Sequence, residues 1–177
     1  VGLFPGLKTS YYWRAVAEGI LKIAIFLGYL VLCSKMKDMR RVFSYHGAEH
    51  KTIFCYEKGL PLTVENVRPQ PRLHPRCGTS FLFVVIIISI IVGLFIRIPN
   101  TLGRVGLRLL ILPVIVGVTY ELNRWIGRHD NLLSSVLSWP GRQLQRITTN
   151  EPDDDMISCA IEALKLVIPE EEGSDAW

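Results

Sequence analysis

Ser80–Ile96 is a run of 17 residues without one charged side chain. A helix needs about 17–25 apolar residues to cross a bilayer. Inside hydrocarbon every backbone N–H and C=O must be satisfied within the structure, so an isolated run of this kind crosses as an α-helix. Two more stretches read the same way. Ala15–Cys33 is apolar apart from Glu18 and Lys22 near its start, and Leu107–Leu122 carries Pro113 in its middle, where a kink is expected. With 49% hydrophobic residues, the chain is predicted to be a mostly α, integral membrane helical protein. Its membrane helices would cover 15–33, 80–96 and 107–122, with a helical and loop region over 35–79 and a tail over 123–177, all in a single membrane domain of residues 1–177.

Charge orients these segments. Residues 35–79 hold nine Lys or Arg, at 35, 37, 40, 41, 51, 58, 68, 72 and 76. The positive-inside rule puts this region in the cytoplasm, which places the short 97–106 connection outside and everything after Leu122 inside. The expected location is the cell membrane, as a multi-pass protein. The net charge of +4 sits beside the apolar segments and has no interleaved aromatic-basic pattern, so it points away from nucleic acid. The expected partners are the lipid bilayer and either a membrane protein or a second copy of the chain. The four cysteines, Cys33, Cys55, Cys77 and Cys159, have no paired spacing of a disulfide scaffold, which fits a reducing compartment.

At the N-terminus, Tyr11, Tyr12 and Trp13 resemble an interfacial aromatic belt, and a start at Val1 reads as a fragment or a processed form. In the tail, Trp125 and Trp139 among scattered arginines suggest a segment lying on the cytoplasmic face. Met156, Ile157, Ala160, Ile161, Leu164 and Val167 recur at helical spacing, so 152–168 is predicted to be an amphipathic helix. Thr149 or Asn150 would cap it, and Pro152 would sit in its first turn. The acidic end from Glu170 to Trp177 is expected to be disordered.

The chemistry concentrates in Tyr45-His46-Gly47-Ala48-Glu49-His50-Lys51. On a helix His46, Glu49 and His50 share one face. Two imidazoles there can hold a divalent metal, zinc above all, and Glu49 can serve as general base toward water. The spelling H-x-x-E-H is the inverted zinc-protease signature, although Gly47 costs such a helix roughly 1 kcal/mol against Ala. Glu121, at the end of an apolar helix, is a candidate third ligand; the competing reading pairs it with Arg124, Arg128 or a basic residue of 35–51. His74 and Cys77 form a rival set that would close a four-ligand, structural site with His46 and His50. Asp153, Asp154 and Asp155 suit either a hard cation or the positive end of a helix. His129 reads as an exposed polar residue.

These residues spell more than isolated motifs. Tyr45 through Thr52, Cys55-Tyr56-Glu57 and His74-Pro75-Arg76-Cys77-Gly78-Thr79-Ser80-Phe81 resemble the YqhQ family of bacterial membrane proteins, as do Tyr120-Glu121 and Thr148 through Asp153. The resemblance covers about residues 10–168. It implies a membrane protein described as a metal-dependent enzyme, with a further Gly-rich N-terminal portion that this sequence is expected to lack. The expectation is therefore a zinc hydrolase working at the cytoplasmic membrane boundary. The alternative is a non-enzymatic membrane subunit or assembly factor whose His/Glu/Cys cluster is structural or binds a partner.

Overall fold

The computed structural model describes residues 11–75, 77–96, 98–129 and 131–169, with backbone only at 11, 12 and 14. The expected disordered end from Glu170 lies outside the described residues. Among the described residues seven helices follow in order: α1 (Tyr11–Lys35), α2 (Lys37–Glu57), α3 (Val64–Val67), α4 (Gly78–Phe95), α5 (Thr101–Arg128), α6 (Leu132–Thr148) and α7 (Asp154–Lys165). Three of them, over Ala15–Lys35, Gly78–Phe95 and Thr101–Arg128, are long and apolar enough to cross a membrane.

α4 packs between α1 and α5, and much of the apolar surface of these three helices is left uncovered: Ile20, Ile25 and Leu32 on α1, Phe95 on α4, and Leu109, Leu110 and Val114 on α5 are all exposed. Side chains of this kind are stable in contact with lipid, which is as apolar as they are. α5 is longer than the sequence suggests. It starts at Thr101 because Asn100 caps it, its side-chain oxygen accepting the Leu102 N–H at 3.1 Å. It then runs through Pro113 to Arg128, a length of about 42 Å at 1.5 Å per residue.

α1 gives way to α2 across a single extended residue, Met36. The 35–79 region is therefore mainly one long helix followed by a loop that contains α3. α7 lies along α2, and their shared core comprises Ala48, Cys55, Val67, Ile157, Ala160 and Ile161. The predicted amphipathic helix is thus present, but its N-terminus differs. Asp153 is the cap, accepting the Met156 N–H at 2.9 Å, and Pro152 precedes it. Thr149 and Asn150 are engaged elsewhere: the Thr149 hydroxyl donates to Gln145 O at 2.7 Å and the Asn150 side chain donates to Arg40 O at 3.2 Å. Ile157 is 1% exposed. Ile157→Ala is expected to cost about 2–5 kcal/mol, read as a lower midpoint in thermal unfolding of the detergent-solubilised chain.

α6 has a capping box formed by Asn131 and Ser134 and packs against α4. The two helices approach so closely at Gly141 that an added Cβ would stand 2.6 Å from the Ser80 Cβ. This contact carries the end of α6 to the place where α4 begins.

Candidate metal centre

The 46–50 stretch is helical, inside α2, so His46 and His50 stand one turn apart on the same face. Cys77 is the residue preceding α4, in extended conformation at its N-cap. Among the described residues, the donor atoms of His46, His50 and Cys77 form a group within 4.8 Å of one another. His46 Nε2 lies 3.3 Å from the Cys77 Sγ, and the two imidazoles meet edge to face with centroids 4.4 Å apart. His50 is 4% and Cys77 3% exposed, so the group is largely withdrawn from water.

Each ring is fixed from behind. His46 Nδ1 donates to the Thr148 carbonyl at 2.9 Å and His50 Nδ1 donates to the Arg72 carbonyl at 2.6 Å. A carbonyl only accepts, so both rings carry their proton on Nδ1 and leave Nε2 for the shared volume. A backbone carbonyl behind the ring is the usual means of setting tautomer and orientation in metal-ligating histidines.

Gly47 explains how Thr148 gets so near. A Cβ at position 47 would overlap the Asn150 carbonyl oxygen, so the glycine that weakens the helix is what lets the segment after α6 lie against it. That segment is strapped down on both sides. The Asn150 N–H donates to Phe43 O at 2.9 Å, and Arg72 bonds the Thr149 carbonyl. Glu151 bridges the Lys51 ammonium at 2.8 Å and Arg72 Nε at 3.3 Å. Beyond it, Asp154 takes both Nε and Nη2 of Arg68.

The electrostatics of the group are unusual. Burial pushes the Cys77 thiol up, but hydrogen bonds from His46, His50 and Thr79, with the charge of His50, outweigh it and bring the thiol down to about 4. Burial pulls His46 down, while its bond to Cys77, the Thr148 carbonyl, and the charges of Cys77 and Glu49 carry it above the ordinary histidine value. Each group thus favours the charged form of the other, as a thiolate–imidazolium pair.

The other predicted site residues fall differently. Glu49 lies beside His50 on α2 and is exposed to solvent. Glu121 does not join the group: its side chain is 67% exposed and its nearest ion partner is Arg124, at 4.0 Å. The ion-pair reading of Glu121 therefore describes its position. His74 is also outside the group. Its Nε2 is 3.2 Å from Glu57 Oε2 and its ring leans on Phe54 at 4.5 Å, while its own centroid is 5.8 Å from that of His50. Asp153 caps α7 and Asp154 pairs with Arg68, which places them in helix-terminal roles. His129 is exposed, stacked on Trp125 with its Nδ1 donating to the Trp125 carbonyl.

Three supporting residues escape a sequence reading. Gln145, wholly buried, accepts the His74 N–H at 2.7 Å and donates to the His74 carbonyl and the Ser80 hydroxyl at 2.6 and 2.7 Å. It thereby fixes the loop that delivers Cys77. Arg72 and Thr148 contribute backbone carbonyls, for which side-chain identity gives no signal; the Thr148–Asp153 block stands out only through its family resemblance.

Fold and site together define a helical protein with three helices able to cross a membrane and a buried His/His/Cys group where one of them begins. The family described as "Protein of unknown function (DUF1385)" matches residues 2–170, and the chain belongs to that family. Among curated proteins it is similar to the "Uncharacterized protein YqhQ" of Bacillus subtilis (strain 168), 41% identical over 147 residues that make up 82% of this chain and 46% of the relative. The chain thus spans about half the length of the curated relative it matches. No solved structure matches it.

Proposed function

We propose that the chain is a metal-dependent membrane hydrolase in which His46, His50 and Cys77 hold a divalent ion, zinc in the first instance. The observation that carries this reading is the pair of Nδ1–carbonyl bonds, which leave both Nε2 atoms available as ligands in a group whose donor atoms, the Cys77 sulfur included, lie within 4.8 Å of one another. Imidazole nitrogen and thiolate are zinc's preferred donors, and three protein ligands leave a fourth position open for water or substrate. Zinc there would supply a Lewis acid that brings the pKa of a water near 7. The chain's own residues do the rest. Glu49, next to His50 and close enough to raise the proton affinity of His46, takes the proton from water. Cys77, as a thiolate, would offset one unit of the ion's charge, and His46 and His50 would hold the ion as neutral donors. With residues 35–79 on the cytoplasmic side, the substrate is a membrane protein segment or a lipid-linked molecule reached at the bilayer boundary.

Metal content of the detergent-purified protein tests this. About one zinc per chain is expected, falling below about a tenth of that in His46→Ala/His50→Ala and in Cys77→Ser. Glu49→Gln is expected to keep the metal and lose hydrolysis, separating binding from chemistry. Wild-type protein that stays metal-free after reconstitution would sink the reading.

The burial of His50 and Cys77 favours a second reading, in which the same group is a closed structural cross-link of a non-enzymatic membrane subunit or assembly factor. Full tolerance of Glu49→Gln, together with a stable stoichiometric partner, would select it.

A further inference from the structure

A cleft of about 660 Å³ opens between the end of α5, the start of α6 and the loop before α4. Arg142, Ser134, Ser135, Ser138, Asn131 and His129 supply its polar lining, Phe54 and Leu132 lie on its apolar sides, and no carboxylate among the described residues lines it. Among the described residues, Arg142 bonds through Nη2, to the Ser135 carbonyl at 3.2 Å and the Ser135 hydroxyl at 3.1 Å, and pairs with no acid. A guanidinium has five N–H donors in a fixed fork, so anchoring one nitrogen aims the remainder without exhausting them.

The surroundings narrow the ligand class. α6 buries Ser134, Gly141, Leu144, Gln145 and Thr148 and turns Leu132, Leu133, Val136 and Trp139 outward, the first of them 82% exposed. An uncovered apolar helix face next to the end of a candidate membrane span is suited to lie in the bilayer interface. In that position the cleft would present its Leu132 side to lipid and hold a cation with hydroxyls inside. That is the complement of an amphiphile with an anionic head, and guanidinium–phosphate pairing is the strongest match for such a head.

We propose that this cleft binds the phosphate of an anionic phospholipid headgroup, with Arg142 as the charge partner and the Ser135 hydroxyl as a donor. The site does not depend on metal at His46, His50 and Cys77.

Native mass spectrometry of the full chain in detergent, titrated with phosphatidylglycerol and with phosphatidylcholine, tests the assignment. The first bound lipid is expected to show about a tenfold preference for phosphatidylglycerol. Arg142→Gln should bring the two lipids to parity. Ser138→Asp, which places an anion in the cleft and leaves Arg142 present, should do the same and covers the case in which Arg142→Gln misfolds. Lys165→Gln, on the remote α7, should keep the preference, and zinc content should be unchanged in all three. An undiminished preference in folded Arg142→Gln or Ser138→Asp overturns the proposal. Displacement of the lipid by millimolar glycerol 3-phosphate would assign the cleft to soluble phosphate esters and overturn it as well.

Discussion

Gly47→Ala is expected to destabilise the protein by about 3 kcal/mol or more, although the same change in an open helix stabilises it by about 1 kcal/mol. The reversal of sign is the informative part. The new methyl has nowhere to go: it would overlap the Asn150 carbonyl oxygen, a backbone atom held by the Asn150 N–H bond to Phe43 O and flanked by the Arg72–Thr149 bond. Either α2 shifts or the segment after α6 lifts, and lifting breaks the Thr148 carbonyl bond to His46 Nδ1. Thermal unfolding should show a midpoint lower by roughly 5–10 °C, and metal affinity should fall with it because His46 loses its fixed orientation. A variant as stable as the wild type would mean that the segment does not lie against α2.

The second large effect is a pH dependence in the metal-free protein. A thiol depressed to about 4 contributes stability that is fully present above its unfolded pKa and is lost as pH falls through the folded value. His46, raised above its ordinary value, contributes in the opposite sense: fully present below about 6.5 and lost as pH rises through its folded pKa. Between about pH 4 and 6.5 only the thiol changes its balance, so stability rises with pH there, by up to about 1.4 kcal/mol per unit. The stability difference between wild type and Cys77→Ser should accordingly widen by on the order of 2 kcal/mol from pH 4 to pH 6.5. Thiolate absorbance near 240 nm, taken as the wild type minus Cys77→Ser, should persist down to about pH 4–5. A thiolate signal that disappears below pH 8 would remove the ion pair.

What the sequence made legible follows from which physical signals are local. Ser80–Ile96 is visible because a span needs only length and the lack of charge, and α4 lies where that run lies. The i,i+4 placement of His46 and His50 is likewise local, as is the apolar stripe of α7. Boundaries set by caps were less visible. Asn100 extends α5 by six residues beyond Leu107, and Asp153 caps α7 because Thr149 and Asn150 are bound elsewhere. The juxtaposition of Cys77 with the histidines required the packing of α6 on α4, through Gly141 and Gln145. Glu121 shows the same limit from the other side. An acid at the end of an apolar helix looks costly in sequence, but its side chain is exposed beside Arg124, a cation that offsets part of that cost. Carbonyls of Arg72 and Thr148 that orient the two rings have no side-chain signature at all.

The bond from His46 to Thr148 joins residues 102 positions apart, and the Asn150 N–H reaches back to Phe43 over a similar distance. During synthesis both histidines and the cysteine therefore leave the ribosome well before the backbone that orients His46. Such long-range closure forms late, since a large loop must be ordered before its contact gives any return. A nascent chain halted ahead of Thr148 already contains the residues of α1, α4 and α5 and all three donor side chains, but not the carbonyl that accepts from His46 Nδ1. Completion of α6 and the segment after it thus supplies the last backbone group that orients His46.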